Sequence, residues 1–254
     1  QAGFETNQIL AATPAVLDLA AAGAIELGEA ASISAITLSG YGKEASDLID
    51  VTDTLAAVQA NSLTDIIQLG EAFSIAGPVA KAAGLEFTET AAILGKMGDS
   101  GFQASLGGTA LRGAIAKLLN PSRQAAGALK KLGITQQDIV DPKTGGIRDF
   151  TGLIQKLGDE GATAGDLLLI FGQRAGPAVT SLVQNGAESI RELREEIQPA
   201  GQAAFQAGIN MEGARGGMLG LASAFEGLQL AIADSGLLET FESLLRDHLT
   251  PFIQ

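Results

Sequence analysis

Cysteine and tryptophan are absent from the 254 residues, and histidine and tyrosine occur once each, as His248 and Tyr41. Without cysteine there are no disulfides and no thiolate metal sites. One histidine cannot build a histidine-based zinc site, and it leaves Ser-His-Asp or Cys-His catalysis a single position to use. That position lies three residues after Leu245 and seven after Phe241, on an apolar helical stripe, where a half-buried structural histidine is the ordinary reading. No Gly-x-Ser-x-Gly elbow accompanies it. Long apolar runs are also missing: the longest, Leu19 to Ile25, falls far short of the roughly 20 residues that cross a bilayer. No signal peptide is visible, and a chain that starts at Gln1 reads as an internal excerpt of something longer.

Basic residues are scarce. Sixteen Lys and Arg face 29 Asp and Glu, for a formal charge of −13. Such a surface is repelled by a phosphate backbone, so direct nucleic-acid binding is not expected. The acidity is uneven: residues 1–100 hold 13 acids and 3 bases, residues 101–254 hold 16 and 13. Within 112–156, Arg112, Lys117, Arg123, Lys130, Lys131, Lys143, Arg148 and Lys156 meet only Asp138, Asp141 and Asp149. That stretch reads either as solvated helix faces or as a docking patch for the acidic half of a neighbouring subunit.

The Gly-rich segment from Gly213 to Gly220 lacks the dinucleotide spacing and the Walker ending, and reads as a flexible joint or a close helix crossing. Asp138 and Asp141 before Gly145-Gly146 lack the ligand alternation and closing glutamate of a calcium loop, which leaves a solvated turn. Glu192, Glu195 and Glu196 alternate with Arg191 and Arg194 at helical spacing, ordinary surface pairing. No enzyme, catalytic residue, cofactor or metal is therefore expected.

What is present is helix. Hydrophobic residues make up 46% with only 4% aromatic, so small side chains dominate. At about 25 cal/mol per Å², such a core is expected to be weak and to draw support from neighbouring subunits. Ala125, Ala128, Leu129 and Leu132 fall at i, i+3, i+4 and i+7, as do Phe150, Leu153, Ile154 and Leu157. Leu237, Leu238, Phe241, Leu244, Leu245 and Leu249 form the strongest stripe, in an amphipathic tail from Leu228 to Phe252. Its polar face is not lysine-rich, so packing on another helix is the better reading than a membrane interface. Asn120 before Pro121 reads as a helix start with Gly133 as its end, Thr163 as the cap of a helix to Phe171, and Pro199 as the stop of a helix ending near Ile197. Asp141 to Gly146 reads as a turn or short hairpin. The fold class is all-α.

Leu27-Gly28-Glu29-Ala30-Ala31-Ser32-Ile33 recurs as Leu69-Gly70-Glu71-Ala72-Phe73-Ser74-Ile75, with a fainter copy from Leu106-Gly107. A period of about 40 residues suits stacked helix-turn-helix units; chance similarity among Ala/Gly-rich helices is the alternative. The repeat fails where the turn appears, which divides the chain softly into 1–133 and 134–254. Phe171 and Arg174 straddle Gly172: the ring is expected to anchor packing and the guanidinium to cap or pair nearby. On the last stripe, Phe241 and Leu245 are the expected docking residues.

Phe87-Thr88-Glu89-Thr90-Ala91-Ala92-Ile93-Leu94 leads to Gly101, then to Gly108-Thr109-Ala110-Leu111-Arg112 and Asn120-Pro121-Ser122. Ala128-Leu129-Lys130-Lys131-Leu132-Gly133-Ile134 follows, and beyond the turn Ile170-Phe171-Gly172-Gln173-Arg174-Ala175-Gly176. As an ordered set over residues 1 to about 190, these blocks resemble the conserved core of phage tail tape measure proteins, though each block alone is plain Ala, Gly and Leu. The resemblance implies a protein threaded along the lumen of a tail tube, setting tail length and leaving ahead of the DNA. It implies as partners other copies of the chain, tail tube proteins and tail tip or baseplate proteins, with host-envelope contact by parts outside this segment. Family members are often much longer, with coiled-coil and hydrophobic stretches that are not read here. A helical-repeat scaffold that holds a partner peptide is the alternative.

Overall fold

The helical spacing is realised along the described residues. A computed structural model describes residues 6–198 and 200–212, with side chains for residues 13–198 and 200–211. Along them run α1 (Thr6–Gly23), α2 (Leu27–Tyr41), α3 (Leu48–Asn61), α4 (Ile66–Ala82), α5 (Phe87–Asp99) and α6 (Ala104–Leu119). Then follow α7 (Arg123–Lys131), α8 (Gln136–Ile139), α9 (Phe150–Asp159), α10 (Ala164–Asn185), α11 (Ala187–Glu196) and α12 (Gln202–Glu212). The fold is all-α; extended pairing among the described residues is limited to the antiparallel bridge between Val140 and Ile147. That bridge closes the turn at Asp141 to Gly146, where the Asp141 amide donates to the Gly146 carbonyl at 2.9 Å. The amphipathic tail from Leu228 to Phe252 and the stop at Pro199 lie outside the described residues.

Local chemistry sets most boundaries. Thr163 starts α10 through a capping box: its hydroxyl accepts from the Asp166 amide at 3.2 Å, and the Asp166 carboxylate accepts from the Thr163 amide at 3.1 Å. One start differs from expectation. Asn120 does not cap α7; it ends α6, its amide donating to the Ala116 carbonyl, and Pro121 lies in the connection. A residue before proline is pushed out of the helical region, so the cap falls to Ser122, whose hydroxyl accepts from the Ala125 amide at 3.2 Å. Gly133 follows the end of that helix at φ +64°.

The helices pack in two layers. In one, α2, α4, α6 and α10 lie side by side; in the other, α3 and α5 pack together, with α1 and α12 against α3 and α11 against α5. Ile33 of α2 abuts Gly70 of α4, and Tyr41 abuts Gly77, so these two helices run parallel. Contact between α4 and α6 is closer still. A methyl group at Gly108 would sit 2.6 Å from the Ala72 carbonyl oxygen, an approach that only glycine permits. Leu27-Gly28 lies at the start of α2, Leu69-Gly70 one turn into α4, and Leu106-Gly107 in the first turn of α6.

The core is more substantial than the aromatic content suggests, because leucine and isoleucine fill it. Leu19, Leu55, Ile66, Ile93, Leu111 and Ile115 are fully buried, and buried side chains form a cluster that runs from Ala15 to Ala203. The few aromatics are concentrated. Tyr41 meets Phe73 and Phe87 edge-on, with ring centroids 6.0 and 5.2 Å apart, which joins α2, α4 and α5 at one point.

Candidate interaction surface

The corner in α10 positions two of the singled-out residues. Gly172 has φ +76° and ψ 178°, outside the helical region. Residues eight apart in a straight helix are about 12 Å apart. Here a methyl at Gly176 would lie 3.2 Å from the Leu168 Cα, so the helix folds back on itself at Gly172. Phe171, immediately before the break, is buried. Arg174 is exposed and, among the described residues, makes no ion pair or hydrogen bond. The local capping or pairing expected of it is not seen among the described residues. Phe241 and Leu245 lie outside the described residues.

Arg174 belongs to a wider set of cations. Between residues 100 and 137 there are five bases, Arg112, Lys117, Arg123, Lys130 and Lys131, and no acid. All five are exposed on α6 and α7. The packing explains why: Leu111, Ala114, Ile115 and Leu118 of α6 and Ala125, Ala128 and Leu129 of α7 turn inward, leaving the long cationic side chains in water. Among the described residues none of the five forms an ion pair, although Lys131 stands near enough to Asp166 to help hold its carboxyl below the usual range, after the hydrogen bonds from Thr163. The acids that follow are tied up locally. Asp138 accepts from the Thr135 hydroxyl at 2.6 Å and meets Lys156 at 3.1 Å, and its pKa is depressed chiefly by the Thr135 hydrogen bonds. Asp149 caps α9 through the Gly152 amide at 2.7 Å.

The amino-terminal part of the chain is acidic. From Asp18 to Glu71 there are nine acids against the single base Lys43. Glu26, Glu29 and Glu71 are exposed around the starts of α2 and α4. The pairing expected within Arg191 to Glu196 is different in detail. Arg191 pairs with Glu188 at 2.9 Å, and Arg194 reaches Glu86 at the start of α5, because α11 packs on α5 and offers that carboxylate across the interface.

One acid works inside the fold, and sequence reasoning missed it. Asp53 on α3 is buried and accepts from the Gly201 amide at 2.6 Å and the Ala203 amide at 3.0 Å. It thereby caps α12 from across the chain. At the far end of α12, the Asn210 amide nitrogen donates to the Ala21 and Ala22 carbonyls at 3.0 and 2.8 Å, in the last turn of α1. Partial burial and the nearby Asp53 raise the pKa of Asp18. No spacing rule finds this tie, because its partners are 148 residues apart. An open groove of about 730 Å³ lies beside it, lined by Lys43, Asp50, Asp53, Lys81 and Glu86. Its mixed charges converge on no single atom, and among the described residues no three His, Cys, Asp or Glu side chains gather as metal ligands. No single described helix is long and apolar enough to cross a membrane; one bent pair, Thr13–Gly23 with Leu27–Tyr41, passes by length and composition only.

The chain is 29% identical over 219 residues to the tape measure protein of Pneumococcus phage Dp-1, covering 83% of this chain and 18% of that protein. It is 31% identical over 138 residues to the probable tape measure protein of Escherichia phage P2, covering 54% of this chain and 17% of that one. It thus spans less than a fifth of either relative. No solved structure matches it. The model of the phage-related minor tail proteins matches residues 1–172, and to that family, a structural component of phage tails, the chain belongs.

Proposed function

We propose that this chain is a structural segment of a tape measure protein that lies in the lumen of the tail tube and acts in length determination, assembly and DNA ejection. The observation that carries the reading is the family match over residues 1–172, joined to a fold whose free chemistry is all on helix surfaces. On this reading its partners are other copies of the chain and the tail tube, tip or baseplate proteins, and the segment works by packing rather than by turnover. The net charge of −13 supports a role in ejection, since an acidic lining repels incoming DNA and lets the tube clear.

The segment is a compact module on the tape. An unbroken helix of residues 6–212 would span about 310 Å at 1.5 Å per residue, whereas two packed layers span far less. In-frame deletion of 6–212 from the parent gene, with tail lengths measured by electron microscopy, tests this. The tails that form are expected to be shortened by much less than about 310 Å. Shortening by the full helical length would show a stretched tape, and tails of normal length and number would remove the segment from length control.

The alternative of a helical-repeat scaffold draws on the neighbouring helices α2, α4 and α6, each carrying a Leu-Gly step near its start. In that reading 1–133 is the repeat region and 134–254 an appended helical region. Capture of one extended peptide by the isolated segment, with no effect of the segment on tails, would favour it.

A further inference from the structure

Within and beside the row α2–α4–α6–α10, exposed charges of opposite sign lie on different helices. The start of α2 carries the exposed Glu26 and Glu29; α6 and α7 carry Arg112, Lys117, Arg123 and Lys130, unpaired among the described residues. Neither set is neutralised from within the described fold. Of the acids beyond α7, Asp149 and Asp166 are engaged as helix caps, and Asp138 with Thr135 and Lys156. The edge helix α2 also exposes Ile36, and α6 exposes Leu106, so each charged set has apolar surface on its own helix.

We infer that the basic face of α6 and α7 docks the acidic α2 end of a second copy of this chain, head to tail. Charge complementarity chooses the occupant: the stretch with five exposed bases and no acid has its counterpart in the exposed Glu26, Glu29 and Glu71 around the starts of α2 and α4 on the same molecule. Opposite charges so arranged steer encounter and fix orientation. Because the two surfaces differ, the contact is heterologous and repeats from copy to copy, closing into a ring or continuing as a filament. Duplex DNA is the competing ligand for a basic face, but the acids carried on the same chain disfavour it.

The test uses the 254-residue chain in sedimentation velocity at about 0.05 and about 0.5 M salt. Association is expected at low salt, weakening at least about tenfold at high salt as screening removes the charge term. A basic-face variant (Lys117→Glu, Arg123→Glu, Lys130→Glu) and an acidic-end variant (Glu26→Lys, Glu29→Lys) are each expected to stay monomeric at low salt. Mixed in equal amounts they associate with one another, since each now offers what the other lacks. Helical circular dichroism identical to the parent establishes that both are folded, and recovery on mixing cannot come from misfolding. A parent chain monomeric at low salt, association indifferent to both reversals, or a mixture that stays monomeric would each overturn the inference. So would a basic face that binds duplex DNA while the chain remains monomeric. None of these results bears on whether the segment lies in the tail, which the deletion experiment addresses separately.

Discussion

Replacing Gly172 with alanine separates two descriptions of α10 by the sign of the effect. At φ +76° and ψ 178°, Gly172 occupies a backbone region that is essentially closed to other residues. Forcing alanine into it costs on the order of 1–3 kcal/mol. A methyl group there would meet nothing within 4 Å, so packing neither adds to nor offsets that cost. Alanine restricts the unfolded chain and recovers about 0.4–1 kcal/mol, which leaves a net loss of up to about 2.5 kcal/mol. For a chain of this size the melting temperature should fall by about 2–4 °C per kcal/mol. Were residues 164–185 one continuous helix, the same substitution would instead stabilise by about 1 kcal/mol. Thermal unfolding followed by circular dichroism reads the difference directly. A melting temperature that rises for Gly172→Ala would refute the corner, and with it the placement of Phe171 and Arg174.

Three other perturbations follow from the packing. Gly108→Ala should destabilise by about 1–3 kcal/mol, because the methyl meets the Ala72 backbone, whereas Gly127→Ala on the open face of α7 should be neutral or stabilising; chemical denaturation of the pair checks the contrast. Asp53→Asn should cost about 1–2 kcal/mol and speed amide exchange in 202–212 while leaving α6 protected, since one of its two bonds to the α12 start is lost. Tyr41→Phe removes a buried hydroxyl that donates to the Thr90 hydroxyl and should cost about 1–2 kcal/mol at neutral pH. Burial holds the Tyr41 phenol above its ordinary range, so the unfolded chain ionises first. The stability it contributes is whole below about pH 10 and declines as pH rises beyond that. The Phe variant should lose that alkaline component, and equal alkaline slopes would contradict the assignment.

Helix existence was legible in the sequence because apolar spacing is a local signal. The stripes Ala125–Leu132 and Phe150–Leu157 are buried as spaced, and Thr163 caps where its partner Asp166 sits three residues on. Boundaries set by competition were harder. Asn120 and Ser122 can both cap, and the proline between them decides only once α6 is known to run through Leu119. The basic stretch was visible as composition, yet which cations stay unpaired depends on which acids are consumed as caps, and that is tertiary information. The Asp53 tie to α12 and the Gly108 crossing carry no local signature, because each is defined by a distant backbone.

The account rests on this segment meeting other tail proteins through its surface. Cross-linking of intact, purified tails followed by mass spectrometry tests that claim most directly. Lys117 and Lys130 should be joined to tail tube subunits or to residues of the acidic α2–α4 end on another copy. A segment cross-linked to neither, or missing from purified tails while the rest of its parent chain is present, would contradict it.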